Sequence, residues 1–75
     1  MQLFIHHNKN NLFIKFDLIV NLVKIVIQDN TSVVFRASIN VNSDFCIIPF
    51  KSHKGWYNIQ LTINNKIINK KILVG

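Results

Sequence analysis

The strongest constraint on this chain is strict period-two alternation in two segments. In residues 33–42, Val33, Phe35, Ala37, Ile39 and Val41 fall on one side, while Arg36, Ser38, Asn40 and Asn42 fall on the other. Residues 57–63 repeat the pattern, with Tyr57, Ile59, Leu61 and Ile63 set against Asn58, Gln60 and Thr62. Successive side chains of a strand point to opposite faces, so each segment is predicted as a strand with one buried and one wet face. A helical period would scatter both sets around the axis.

The rest of the chain reads the same way. Leu12, Ile14, Phe16 and Leu18 share one face of a first strand. The phase changes near Asn21, after which Val23, Ile25 and Ile27 point inward in a second. A turn at Asp29-Asn30-Thr31-Ser32 follows. Another at Asn42-Ser43-Asp44 precedes a short strand over residues 45–48, which Pro49 ends or confines to a sheet edge because it cannot donate to a ladder. Asn64-Asn65 has the chemistry of a two-residue hairpin turn, since asparagine tolerates positive φ. It leads into residues 66–74, where Ile68, Ile72 and Val74 point one way. Six short strands at spacings of about ten residues predict a sandwich or small barrel. The expected organisation is a single all-β domain over residues 12–75, preceded by an arm or short strand over residues 1–11.

Size sharpens the question of stability. A 75-residue chain buries only about 60% of the surface its unfolded form exposes. Small domains compensate with disulfides, metals or partners. Cys46 is the only cysteine, so no internal disulfide can form. What remains is a very apolar composition, 49%, and association with another chain. No signal-like segment opens the sequence, and the apolar stretch over residues 18–27 is cut by Asn21 and Lys24, so neither secretion nor a membrane span is expected, and the cytoplasm or a virion is the expected location.

Residues 12–16 (Leu-Phe-Ile-Lys-Phe), 23–29 (Val-Lys-Ile-Val-Ile-Gln-Asp), 55–61 (Gly-Trp-Tyr-Asn-Ile-Gln-Leu) and 70–74 (Lys-Lys-Ile-Leu-Val) come in order. Their outline is an apolar strand ending in Asp before a turn, then Gly-x-Tyr opening a strand, then a Lys-Lys-apolar ending. This resembles the small immunoglobulin-like β-sandwiches at the C-termini of secreted Bacteroidota proteins, the type IX sorting domains among them. The resemblance implies an immunoglobulin-like antiparallel sandwich. The turn after Asp29 lacks the glycine usual in those domains, and the chain carries no passenger domain, so the fold is carried over and the sorting role is not. By analogy, a stand-alone module of this kind would suit a structural or attachment part, for example in a phage virion.

The residues that carry chemistry are sparse. His6, His7, His53 and Cys46 show no metal-ligand spacing, and adjacent His6 and His7 point to opposite faces of a strand. Cys46 reads as a small apolar filler. Of the carboxylates Asp17, Asp29 and Asp44, the last two sit in turns, where aspartate accepts backbone hydrogen bonds. No phosphate-binding glycine loop or nucleophile elbow is present. The expectation is a protein that is not an enzyme and takes no cofactor.

The unusual residues are apolar ones on nominally wet faces: Phe13, Ile19, Val34, Ile48, Phe50, Trp56, Ile67 and Leu73. Monomers rarely expose large contiguous apolar patches. Of these, Phe13, Ile19, Val34, Phe50, Trp56, Ile67 and Leu73 form the candidate interface of an assembly or attachment module, with a protein partner or further copies of the chain. The alternative starts from the net charge of +6. A single-stranded nucleic-acid binder on an OB-like barrel would use Lys15, Lys24, Arg36, Lys51, Lys54, Lys70 and Lys71, with Trp56 or Phe50 as a stacking platform. All basic residues but Arg36 are lysine, so bidentate contacts are scarce and nucleic-acid binding is expected to be weak and non-specific.

Overall fold

The computed structural model describes residues 1–75 as five antiparallel strands with no helix: β1 (Leu3–Asn8), β2 (Asn11–Gln28), β3 (Val33–Pro49), β4 (Gly55–Ile63) and β5 (Lys66–Val74). The all-β, antiparallel expectation therefore holds. The count of six does not. Residues 12–18 and 23–27, expected as two strands, are one 18-residue strand, and residues 33–42 and 45–48 merge into one of 17 residues. Residues 1–11, expected as an arm or short strand, hold β1 and the turn into β2.

β2 organises the sheet. One of its edges is paired with β3 along nearly its whole length. Its other edge takes β1 first, from Leu3↔Phe16 to Asn8↔Asn11, and then β4, from Lys24↔Thr62 to Gln28↔Asn58. β5 completes the order by pairing with β4. The sheet thus has two halves, one of β1 with the opening of β2 and the end of β3, the other of the remaining lengths of β2 and β3 with β4 and β5. β1 and β5 lie against each other without a hydrogen-bonded ladder, so the sheet curls into a half-barrel rather than a closed barrel.

Irregularities let two strands serve both halves. The β2–β3 register shifts between Lys15 and Val20 and again between Val20 and Leu22. The inward set accordingly changes from Leu12, Ile14, Phe16 and Val20 to Val23, Ile25 and Ile27, while Leu18, expected inward, is exposed because the irregularity between Lys15 and Val20 falls on it. The phase change expected near Asn21 is real, but it lies inside a continuous strand. In β3 the partners of Val20 and Leu22 are Ser43 and Asn40, which leaves an extra residue at 41–42, and Asn42 takes φ +50°. A bulge of this kind bends a strand and turns its side chains to the other face without ending it. The residues that looked like a turn at 42–44 are that bulge.

One core fills the curl. Ile25, Ile27, Ile59 and Leu61 are wholly buried, joined by Phe16, Tyr57, Ile63 and Phe50. Phe35, Ala37, Ile39 and Val41, expected fully inside, pack against this core but stay only half-buried, because β3 has a neighbour on one side alone. The Tyr57 hydroxyl donates to the His53 carbonyl at 2.6 Å and lies 2.8 Å from the Ser52 hydroxyl, which ties down the loop before β4. At the other end of that loop, the Phe50 amide donates to Asn10 and the His7 Nε2–H donates to the Phe50 carbonyl.

The turns follow local chemistry. Asn64 and Asn65 both take positive φ between Ile63 and its partner Lys66, the expected two-residue hairpin. Lys9, between paired Asn8 and Asn11, also takes positive φ, at +54°. A side chain there meets the following carbonyl, at a cost of about 1–2 kcal/mol that glycine escapes. Lys9→Gly is therefore expected to raise stability by up to about 1 kcal/mol, less than the steric cost because glycine also loosens the unfolded chain, read as a higher urea midpoint.

The β2–β3 turn is held by Asp29. Its Oδ1 accepts from the amides of Thr31 and Ser32 and from the Thr31 hydroxyl, at 2.8–3.0 Å. These bonds, the Thr31 amide first, hold the Asp29 carboxyl below the usual carboxylate range. A folded pKa below the unfolded value stabilises the fold above the unfolded value, and that contribution is lost as pH falls through the folded one. The midpoint of thermal unfolding is thus expected to fall with acidification below about pH 4. In Asp29→Asn, which cannot take up the proton, that fall should be shallower.

Candidate functional site

The two halves carry different outer faces. In the first half, cross-strand partners set Phe4 beside Lys15 and Lys15 beside Phe45, and in the next row His6 beside Phe13 and Phe13 beside Ile47. Partners in adjacent strands share a face at close range, so Phe4, Phe13, Phe45 and Ile47 make one contiguous surface. Phe4 is 75% exposed, Phe45 and Ile47 are about half exposed, and Phe13 is half-buried with the His6 ring 6.3 Å away. Lys15 stands within it, between Phe4 and Phe45, and is paired with Asp44, a bond that holds the Asp44 carboxyl below its ordinary range.

The outer face of the second half is polar and basic along its middle, with exposed Leu22, Val33, Ile67 and Leu73 around its margin. Its rows run Arg36–Val26–Gln60–Asn69, Ser38–Lys24–Thr62–Ile67 and Gln28–Asn58–Lys71. Trp56 stands at one end opposite Leu73 and is 59% exposed. Concavities flank it on both sides, one lined by Gln28, Asn30, Asn58 and Lys71, the other by Thr31, Val34, His53 and Lys54.

Against these faces the sequence-predicted interface residues separate. Trp56 and Leu73 come together, with Val34 across the cleft. Phe13 lies in the other half, within the aromatic surface. Ile19 is exposed in the irregular stretch of β2, next to exposed Leu18, and Ile67 stands at the far end of β5 from Leu73, so neither joins the aromatic surface or the Trp56–Leu73 pair. Ile48 and Phe50 are corrections: they are 3% and 5% exposed and belong to the core. The bulge at Asn42 reverses the alternation of β3, which turns Ile48 inward and Phe45 and Ile47 outward. Phe50 packs edge-on against His7, Phe35 and Tyr57. It therefore cannot serve as a stacking platform.

The basic residues divide similarly. Lys24, Arg36 and Lys71 share the second outer face with Trp56, and Lys54 lines the neighbouring cleft. Lys15 belongs to the aromatic face, Lys51 to the loop, and Lys70, opposite buried Ile59, to the inner side of β5. No group of three or more His, Cys, Asp or Glu side chains converges. Burial pushes the Cys46 thiol up, away from the reactive thiolate. No helix is long and apolar enough to cross a membrane.

No protein-family model matches the chain, and no curated protein matches it. The likeness to the type IX sorting-like domains thus has no support from relatives. What the structure supports is coarser, an antiparallel all-β fold curled over one core.

Proposed function

We propose that this protein is a non-enzymatic docking module, a small structural part of a larger assembly, and that the outer face of its first half is the docking surface. The observation that carries the reading is the contiguity of Phe4, Phe13, Phe45 and Ile47. Single exposed apolar residues are ordinary, but three phenylalanines and an isoleucine on one face of so small a domain, around a lysine whose charge is paired, leave apolar area in water that a partner would cover. An immunoglobulin-like kinship is part of the same proposal and rests only on antiparallel strands curled over one core.

A photo-reactive phenylalanine analogue tests it from within the cells that make the protein. Placed at Phe4 or Phe45, it is expected to yield a discrete cross-linked species. Placed at Gln60, on the other outer face, it is expected to yield none. Indiscriminate adducts from all three positions, or none from any, would remove the docking surface.

A second reading has its own observation. Trp56 shares a face with Lys24, Arg36 and Lys71 and with a row of side-chain amides, an arrangement suited to stacking and backbone contacts with single-stranded nucleic acid. Trp56 is the only tryptophan, so quenching of its fluorescence by oligothymidylate reports on this face alone. On the docking reading, quenching is weak and disappears near about 0.15 M salt, because counterion release dominates such binding. Tight binding at that salt would exchange the two readings.

A further inference from the structure

Trp56 stands where the second half of the sheet opens. β2 leaves its ladder with β4 at Gln28, opposite Asn58, and the chain turns away through Asp29 and Asn30. The row that holds Trp56 therefore has Leu73 on one side and the Asp29 turn, not a strand, on the other. The indole rises between two concavities of about 600 and about 310 Å³, the size of clefts that take small ligands. Both are walled by Asp29 and Asn30. Hydrogen bonds within the fold already fix these walls. Asp29 Oδ1 accepts the three bonds of its turn, and the Tyr57 hydroxyl holds the His53 carbonyl of the loop behind the smaller concavity. Asp29 Oδ2 is left without a partner, in a wall it shares with the side-chain amides of Gln28, Asn30 and Asn58.

Charge decides what such a site takes. Each concavity has one carboxylate, Asp29, and one ammonium, Lys71 in the larger and Lys54 in the smaller. The two charges offset each other, and a phosphate seated on Trp56 would face the Asp29 carboxylate. The remaining polar groups are mostly amides and hydroxyls, which donate and accept as sugar hydroxyls do. A sugar ring also has an apolar C–H face, which packs on the electron-rich face of an indole. We propose that Trp56 is the platform of a binding site for a neutral oligosaccharide, with one sugar ring stacked on the indole and its hydroxyls bonded by Asp29 Oδ2, Asn30, Asn58 and Lys71. The concavities on either side of the indole give the sugar chain room to continue past it. This site does not rest on the docking reading, which uses the outer face of the first half.

Titration of the full chain with soluble oligosaccharides tests the site. The probes are linear oligomers of α- and β-linked glucose, of N-acetylglucosamine, of mannose and of xylose, with oligothymidylate beside them. Binding is followed by Trp56 fluorescence and by calorimetry. At least one neutral oligomer is expected to bind saturably at micromolar to millimolar concentration, with an affinity that holds as salt is raised past about 0.15 M. Trp56→Ala should weaken that binding by about tenfold or more, and Trp56→Tyr by less. Trp56 is 59% exposed, so both variants should keep the circular dichroism of the parent. Asn30→Ala, at an exposed turn position, should also weaken it. A chain that binds none of these sugars at millimolar concentration overturns the proposal, and so does sugar binding that survives Trp56→Ala. A response to oligothymidylate alone overturns it too, and gives the face to nucleic acid.

Discussion

Ile59→Ala should lower the free energy of unfolding by about 2–5 kcal/mol. Ile59 is wholly buried in β4, facing Ile27 across one ladder and Lys70 across the other. Removing its branched chain takes away apolar contacts, and the flanking ladders keep the surrounding backbone from collapsing into the space. For a chain of this length the whole stability is about 4–11 kcal/mol at typical per-residue values. The variant thus forfeits a large fraction of it. Urea titration should show a lower midpoint with an unchanged slope. A loss below about 1 kcal/mol would put Ile59 outside the well-packed core.

The second large effect is expected at Phe16, and its force lies in a comparison. Phe16 and Phe13 are three residues apart in β2 but lie on opposite faces, with Phe16 at 1% exposure beside its β1 partner Leu3 and Phe13 half-buried beside His6 and Ile47. Phe16 is also the last residue of β2 paired with β1 before the strand bends, so it packs where the two halves meet. Phe16→Ala should cost about 3–5 kcal/mol. Phe13→Ala removes a ring that is already partly in water and should cost distinctly less. Equal losses at the two positions would contradict the assignment of faces, and with it the aromatic docking surface.

Strand content was largely legible in the sequence because alternation is a local signal. Tyr57, Ile59, Leu61 and Ile63 lie in the core as their spacing implies, and Asn64-Asn65 turns as asparagine chemistry implies. Legibility failed where faces depend on bulges. Residues 45–48 are Phe-Cys-Ile-Ile, an apolar run with no polar partner to mark its phase, and the bulge at Asn42 alone decides which of them look outward. That is why Phe45 and Ile47 were missed and Ile48 and Phe50 misplaced. Phe4 was missed for another reason: its neighbours on the aromatic face come from β2 and β3, and only the register of three strands brings them together. The half-exposure of Phe35, Ala37 and Ile39 is equally non-local, since alternation says which way a side chain points but not whether its strand has a second neighbour.

The pairing pattern of β2 also carries a consequence for how the chain reaches its fold. β1–β2, β2–β3 and β4–β5 are hairpins between consecutive strands, and each can close over a short loop. Only β2–β4 joins strands that are not neighbours in the chain, and it must wait for the intervening β3 to find its place. Loop closure over that distance comes before the contacts that reward it. The slow event in refolding should therefore be the docking of the preformed β4–β5 hairpin onto the edge of β2 left free beyond β1. Substitutions at Ile27 and Leu61, on either side of that ladder, should slow folding more than equally costly ones at Leu12 or Ile14, where pairing is local.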